Sequence, residues 1–277
     1  MKLRSNVDHL VTVSAMGQVA SPGFPGLPAL PYQLSAEGTP FLLPAFGGIV
    51  YNVSVGDPAF GWLADCVHPG VSISLPDDNG NRGLNILSCV GNEAVVMSGA
   101  AQGARGVVTG KSGRFADQVI LHFPRAVREQ LAIGDKIVVR TQGVGLQLHD
   151  HPNVRLKSCA PTLLDSLEVS SDDAGRLAVP VVATVPPHLL GAGSGLDSEG
   201  GSLHIQSADR EALAAAGPDA LRLGDVVAPP GLDSRRNHAH RRSAAPLRLV
   251  GPAHTPRTGH APRGTRLPTA PARAVPP

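Results

Sequence analysis

Cysteine is scarce in this 277-residue chain: Cys66, Cys89 and Cys159 are odd in number, widely spaced and outside any CxxC. That excludes a disulfide framework and a zinc knuckle, and leaves buried thiols as the expectation. Long apolar runs are missing too, so no segment reads as a membrane span. The opening MKLRSNVDHLVTVSAMG has Asp8 and His9 where a signal peptide needs an apolar stretch, and the expected location is the cytoplasm.

Positive charge is missing from most of the chain, although the formal total is +2. Residues 1–228 hold 15 Lys and Arg against 21 Asp and Glu, whereas residues 229–277 hold nine Arg and one acid, Asp233. A net-negative body repels phosphate backbones at long range, which disfavours nucleic acid as the main partner. What the chain does have is 42% hydrophobic residues, enough to bury one large or two ordinary cores.

The stretch SGAAQGARGVVTGKSG, residues 98–113, ends in Gly-Lys-Ser and invites a phosphate-loop reading. That loop needs a glycine five residues before Gly110, where Arg105 stands instead. The residues that follow alternate through Val119, Leu121 and Phe123 with the period of a strand, and the loop requires a helix there. Residues 94–113 therefore read as strand, glycine loop and strand, with Gly99, Gly103 and Gly106 providing backbone freedom. This pattern resembles the KOW hairpin of small SH3-like barrels, some of which bind RNA. RNA binding would need more than Arg105, Lys111, Arg114, Phe115 and Phe123 supply here.

Elsewhere HLVTVSA, GGIVYNVSV, GVSISL and RLAVPVVATV read as strands, the last with Pro180 at an edge or bulge. SPGFPGLPALP, PDDNGNRG and GAGSGLDSEGG read as loops, and Asp57 followed by Pro58 reads as the cap of a short helix through Phe60, Trp62 and Leu63. LAIGDKIVV and LRLGDVVA repeat one device, a Gly-Asp turn that launches a strand. The expected fold is mainly β: a KOW/SH3-like small barrel, further barrel or sheet subdomains and a few short helices. The expected divisions are an N-terminal β subdomain at 1–92, the barrel at 93–145, an α+β subdomain at 146–228 and a tail at 229–277.

Six segments in order, GGIVYNVSVGDPAFGW, HPGVSI, GLNILSCVGNEA, SGAAQGARGVVTGKSG, LAIGDKIVV and LRLGDVVA, resemble the prokaryotic family called domain of unknown function 4438. The resemblance spans residues 1–228. It implies a mostly β fold in several parts and carries no established activity.

Chemistry is therefore sought in the residues. Asn52, Asp57, Asp65, Asn85, Cys89, Asn92 and Glu93 are polar positions beside glycines and strand ends that could line a pocket for a small polar metabolite. In that pocket Asp65 or Glu93 would act as base and Cys89 as nucleophile, with Asn52, Asp57, Asn85 and Asn92 binding the ligand. Asn and Asp beside Gly also make turns by bonding their own backbone. His149 and His151 alternate in LHDHP but sit beside Pro152 and glycines, so no metal site is assigned, and the sequence specifies no cofactor. The expected function is binding of a small polar metabolite, or hydrolase-like chemistry on one. The alternative is a KOW-type module for RNA or a protein partner.

The tail holds ten prolines, nine arginines and four histidines, and its only apolar run is LRLV. It cannot bury a core and is expected to be disordered. A GC-rich gene read out of frame gives this composition, so a frameshift near codon 228 is a further expectation.

Overall fold

The computed structural model describes residues 3–22, 32–42, 47–59, 68–112, 117–172, 175–190, 202–206, 210–217, 220–230, 232–233, 239–240, 244–251 and 260–271. Its centre is a barrel. Strands β1 (Val13–Val19), β5 (Gly70–Ser74), β6 (Glu93–Val96), β7 (Arg105–Lys111), β8 (Val119–His122) and β9 (Lys136–Thr141) pair in the order β1-β9-β6-β7-β8-β5, and β5 pairs back to β1. The six strands close antiparallel, so the barrel has no open edge apart from β4 (Ile49–Val50) laid beside β5. Alternate residues point inward and form the barrel core, among them Ile73, Val96, Val108, Leu121 and Ile137, all 1% exposed or less.

The β6–β7 hairpin falls where sequence predicts it, with Gly99 and Gly103 at positive φ. Gly106 serves a different purpose from the one expected. Its φ is ordinary, and a Cβ there would lie 2.5 Å from the His122 carbonyl oxygen and 2.6 Å from the Phe123 ring, so close packing demands the glycine. Because β1 and β5 come from residues before 93, the expected division at residue 92 cuts through the barrel sheet.

The stretch expected to be a loop at PDDNGNRG starts a helix, α1 (Asp78–Leu87). The Asp77 carboxylate accepts the Gly80 N–H at 2.5 Å as an N-cap, and Leu84 is buried against β1, where Gly17 leaves it room. Asn81 ties the helix down: its Oδ1 accepts the Leu75 N–H at 2.9 Å and its Nδ2 donates to the Asp117 carbonyl at 3.0 Å. Side-chain bonds and one buried leucine thus outweigh a composition that favours turns.

Helices α2 (Arg125–Arg128) and α3 (Pro161–Ser166) flank the barrel. Two short pairings complete this part: β2 (Tyr32–Leu34) with β3 (Pro40–Leu42), and β10 (Ser170–Ser171) with β11 (Leu177–Ala178). RLAVPVVATV splits at Pro180 into β11 and β12 (Ala183–Thr184). A second sheet runs β12-β14-β17-β18-β13, with β13 Ser202–Gln206, β14 Val226–Ala228, β17 Ala244–Gly251 and β18 His260–Pro271. Helix α4 (Arg210–Ala216) precedes β14, and β15 (Leu232–Asp233) pairs with β16 (Ala239–His240). Two further apolar clusters join the halves, one around Val90, Leu148, Cys159 and Leu177, the other around Val53, Leu189, Leu221 and Val227. The tail's described order is backbone pairing onto β14 and β13.

Candidate functional site

Of the seven polar residues singled out from sequence, the structure joins two. Asn92 is buried, and its Oδ1 accepts the backbone N–H of Cys89 at 2.8 Å and of Gln142 at 3.3 Å, while its Nδ2 donates to the Gln142 carbonyl at 2.8 Å. These bonds hold the turn from Cys89 to Asn92 against the end of β9. The Cys89 thiol is fully buried beside Cys159, whose own thiol is pushed up to about 12, first by burial and second by Cys89. Neither thiol is in a disulfide.

Of the other five, four are described. Glu93 faces out of the barrel and pairs across strands with Arg105 and, at 3.9 Å, with Arg140. Asn52 is exposed on a bend. Asn85 is buried on α1, where its Nδ2 and the nearby Ser88 Oγ lack a hydrogen-bond partner. Asp65 and the helix expected through Phe60 to Leu63 lie outside the described residues, as does the loop GAGSGLDSEGG. Asp57 bonds a residue that precedes it. Its carboxylate turns back to accept the Ser54 N–H at 2.6 Å, and Gly56 is at φ +94°.

That turn recurs. Asp135 accepts the Ala132 N–H at 2.8 Å with Gly134 at φ +92°, and Asp225 accepts the Arg222 N–H at 2.7 Å with Gly224 at φ +102°. The Gly-Asp device read twice in the sequence thus occurs a third time at Gly56-Asp57. Two copies also dock alike. Gly134 N–H donates to Val19 O while Val19 N–H donates to Asp135 O, and Gly56 N–H donates to Leu223 O while Leu223 N–H donates to Asp57 O.

Lys111, the lysine of Gly-Lys-Ser, is 2% exposed and donates to the Ser158 hydroxyl at 3.0 Å. It anchors one end of the barrel from inside and is not on the surface. His149 is exposed whereas His151 is buried with its Nε2 3.0 Å from the Ser171 hydroxyl, so the two do not form one site. Among the described residues no group of three His, Cys, Asp or Glu is arranged to hold a metal ion.

A cleft of about 350 Å³ lies over the outer face of β7 and β8. Val107 and Ile120 form its floor, Leu163 on α3 and the turn at Val90 one wall, and Val55 with Leu223 the other. Three hydroxyls border it, and all three donate to main-chain carbonyls: Thr109 to Ile120, Thr162 to Gly91 and Ser166 to Leu163. The cleft is therefore mainly apolar, with its bordering hydroxyls already engaged. Gly91 fixes one wall, since it sits at φ +95° and a Cβ would lie 3.0 Å from both the Leu163 Cβ and the Thr162 Oγ1. None of the seven residues lines the cleft, but two of them, Cys89 and Asn92, anchor the turn that forms this wall. The signal for the cleft was weak in sequence because its apolar residues are scattered from position 55 to 224.

The family pattern agrees with this architecture in two blocks. The N-terminal model of a domain of unknown function, DUF4438, matches residues 32–165, and the C-terminal DUF4438 model matches residues 166–277. The chain belongs to the DUF4438 family. The second match continues past Ala228 into the segment for which a shifted reading frame was expected. This DUF4438 chain is also similar to the protein in the crystal structure of TM1086, with 36% identity, 99% of this chain and 95% of that chain covered, and a TM-score of 0.86. No curated protein matches it. Among the described residues no helix is long and apolar enough to cross a membrane.

Proposed function

We propose that this DUF4438 protein binds a small molecule whose apolar body lies in the cleft between α3 and the Val55 and Leu223 wall. One observation supports the reading: a concavity of about 350 Å³, in the size range of ligand sites, whose bordering hydroxyls are already committed to main-chain carbonyls. An apolar body gains from such walls by leaving water, at about 25 cal/mol for each Å² buried. The polar metabolite expected from the seven residues finds no lining of its own kind here. Cys89 and Asn92 then act as scaffold behind one wall. RNA is a poorer fit, because Lys111 is internal and Arg105 is engaged by Glu93, which removes two of the cations on the hairpin.

The test is titration with N-phenyl-1-naphthylamine, a neutral apolar fluorophore, on the native protein. Saturable enhancement with one site per chain is expected. Ser166→Trp, placed at the exposed mouth on α3, should weaken it tenfold or more without lowering the Tm. Absence of saturable binding, or equal binding by Ser166→Trp, overturns the proposal.

A further inference from the structure

The cleft floor continues along β8 from Ile120 to His122, two residues on and therefore on the same outer face. His122 is also the cross-strand partner of Val107, which lines the cleft. The imidazole thus stands at the end of the apolar floor, half-buried, and among the described residues no hydrogen bond engages its ring.

Helix α2, which follows β8 in the chain, carries an unusual cation. Arg128 is 3% exposed and, among the described residues, has no carboxylate partner. Its guanidinium donates only to neutral acceptors of the segment leading to Val55 in the cleft wall: Val50 O, Val53 O at 3.3 Å and Ser54 Oγ at 3.4 Å. Its Nε has no partner at all. A buried charge with no counter-charge is costly, and the carbonyl dipoles around it stabilise the cation without cancelling its field. Burial first and Arg128 second hold the His122 imidazole below its ordinary pKa.

We infer that the ligand of this cleft is an amphiphilic monoanion, a carboxylate on an apolar chain or ring, with its head at His122 in the field of Arg128 and its body on Val107 and Ile120. The inference rests on the cleft being a ligand site and adds the sign of the ligand's charge. A neutral imidazole can donate one hydrogen bond to the head, and Arg128 behind it supplies the counter-charge through walls of low dielectric. A cationic head would meet Arg128 uncompensated and be rejected.

The experiment displaces bound N-phenyl-1-naphthylamine from the full-length protein at pH 8 with three ligands of equal chain length: octanoate, octanamide and octylammonium. Octanoate is expected to displace the probe at a concentration at least tenfold below that of octanamide, with octylammonium weakest. In Arg128→Met the difference between octanoate and octanamide should shrink to less than threefold. If that variant does not fold, His122→Phe, which removes the donor and keeps the ring, should weaken octanoate severalfold and leave octanamide unchanged. Equal displacement by all three, a preference for octylammonium, or no displacement by any of them while the probe binds, overturns the anionic class and leaves the apolar cleft standing. Failure of the probe itself to bind overturns the cleft as a ligand site and the inference with it.

Discussion

The barrel and the C-terminal sheet are both antiparallel over most of their ladders, yet their order has different origins. In the barrel, every strand of the closed ring contributes inward side chains to one core, so pairing and burial reinforce each other. In the second sheet, the long β17–β18 ladder joins Arg-, Pro- and Thr-rich segments and pairs outward onto β14 and β13. Closure and a shared core over-determine the barrel, whereas the second sheet stays open, with β12 and β13 at its edges.

The largest expected contrast uses one glycine from each part. Gly70 in β5 is at φ +86°, and a Cβ there would run into the Leu121 carbonyl oxygen of β8, a backbone atom that cannot turn aside. Gly70→Ala is expected to cost more than about 3 kcal/mol or to prevent folding. Gly217, after α4, is at φ +68° with nothing within 4 Å of its would-be Cβ. Gly217→Ala should cost only the backbone penalty, about 1–2 kcal/mol. Urea unfolding of both variants measures the difference, and equal costs would mean that the barrel is no more tightly specified than the sheet.

Much of the barrel was legible because alternation and turn glycines are local signals. The β6–β7 hairpin, β8 and the Gly-Asp turns before β9 and β14 were read from such patterns. Helix α1 was not, since two glycines and three asparagines in its ten residues advertise a turn, and the bonds of Asp77 and Asn81 that stabilise it depend on folding. The polar site residues were misleading for a related reason. Asp57 and Asn92 beside glycines are backbone brackets, and composition does not distinguish a bracket from a ligand contact. Arg128 and His122 drew no attention in sequence, because the missing carboxylate at Arg128 is a fact of three-dimensional packing.

The Gly-Asp turns sharpen the comparison at intermediate magnitude. Asp135→Ala removes a bond to the Ala132 N–H in the barrel turn and also the contact from the Ser98 hydroxyl at 3.5 Å. Asp225→Ala removes the equivalent bond to Arg222 beside the second sheet. Each loss is expected to cost about 0.5–2 kcal/mol, with Asp135 the larger. The reverse order in urea melts would show that the second sheet relies more heavily on its turn than the barrel does.

The smallest effect is pH-dependent. His122 has a folded pKa below the ordinary 6.5, from burial first and Arg128 second. The unfolded chain therefore takes up the proton first, so stability is intact above about 6.5 and falls as pH drops through that value toward the folded pKa. His122→Gln should remove this part of the decline in Tm between pH 7.5 and 5. An unchanged slope would mean that burial and Arg128 together do not lower the His122 pKa in the folded protein.

The most direct measurement is a crystal structure of the protein soaked with octanoate at saturating concentration. The chain is expected to lie on Val107 and Ile120, between Leu163 and Leu223, with a carboxylate oxygen within hydrogen-bonding distance of the His122 imidazole. Density for octanoate beside Asn85 and Cys89 instead, or an empty cleft at full saturation in solution, would contradict the account.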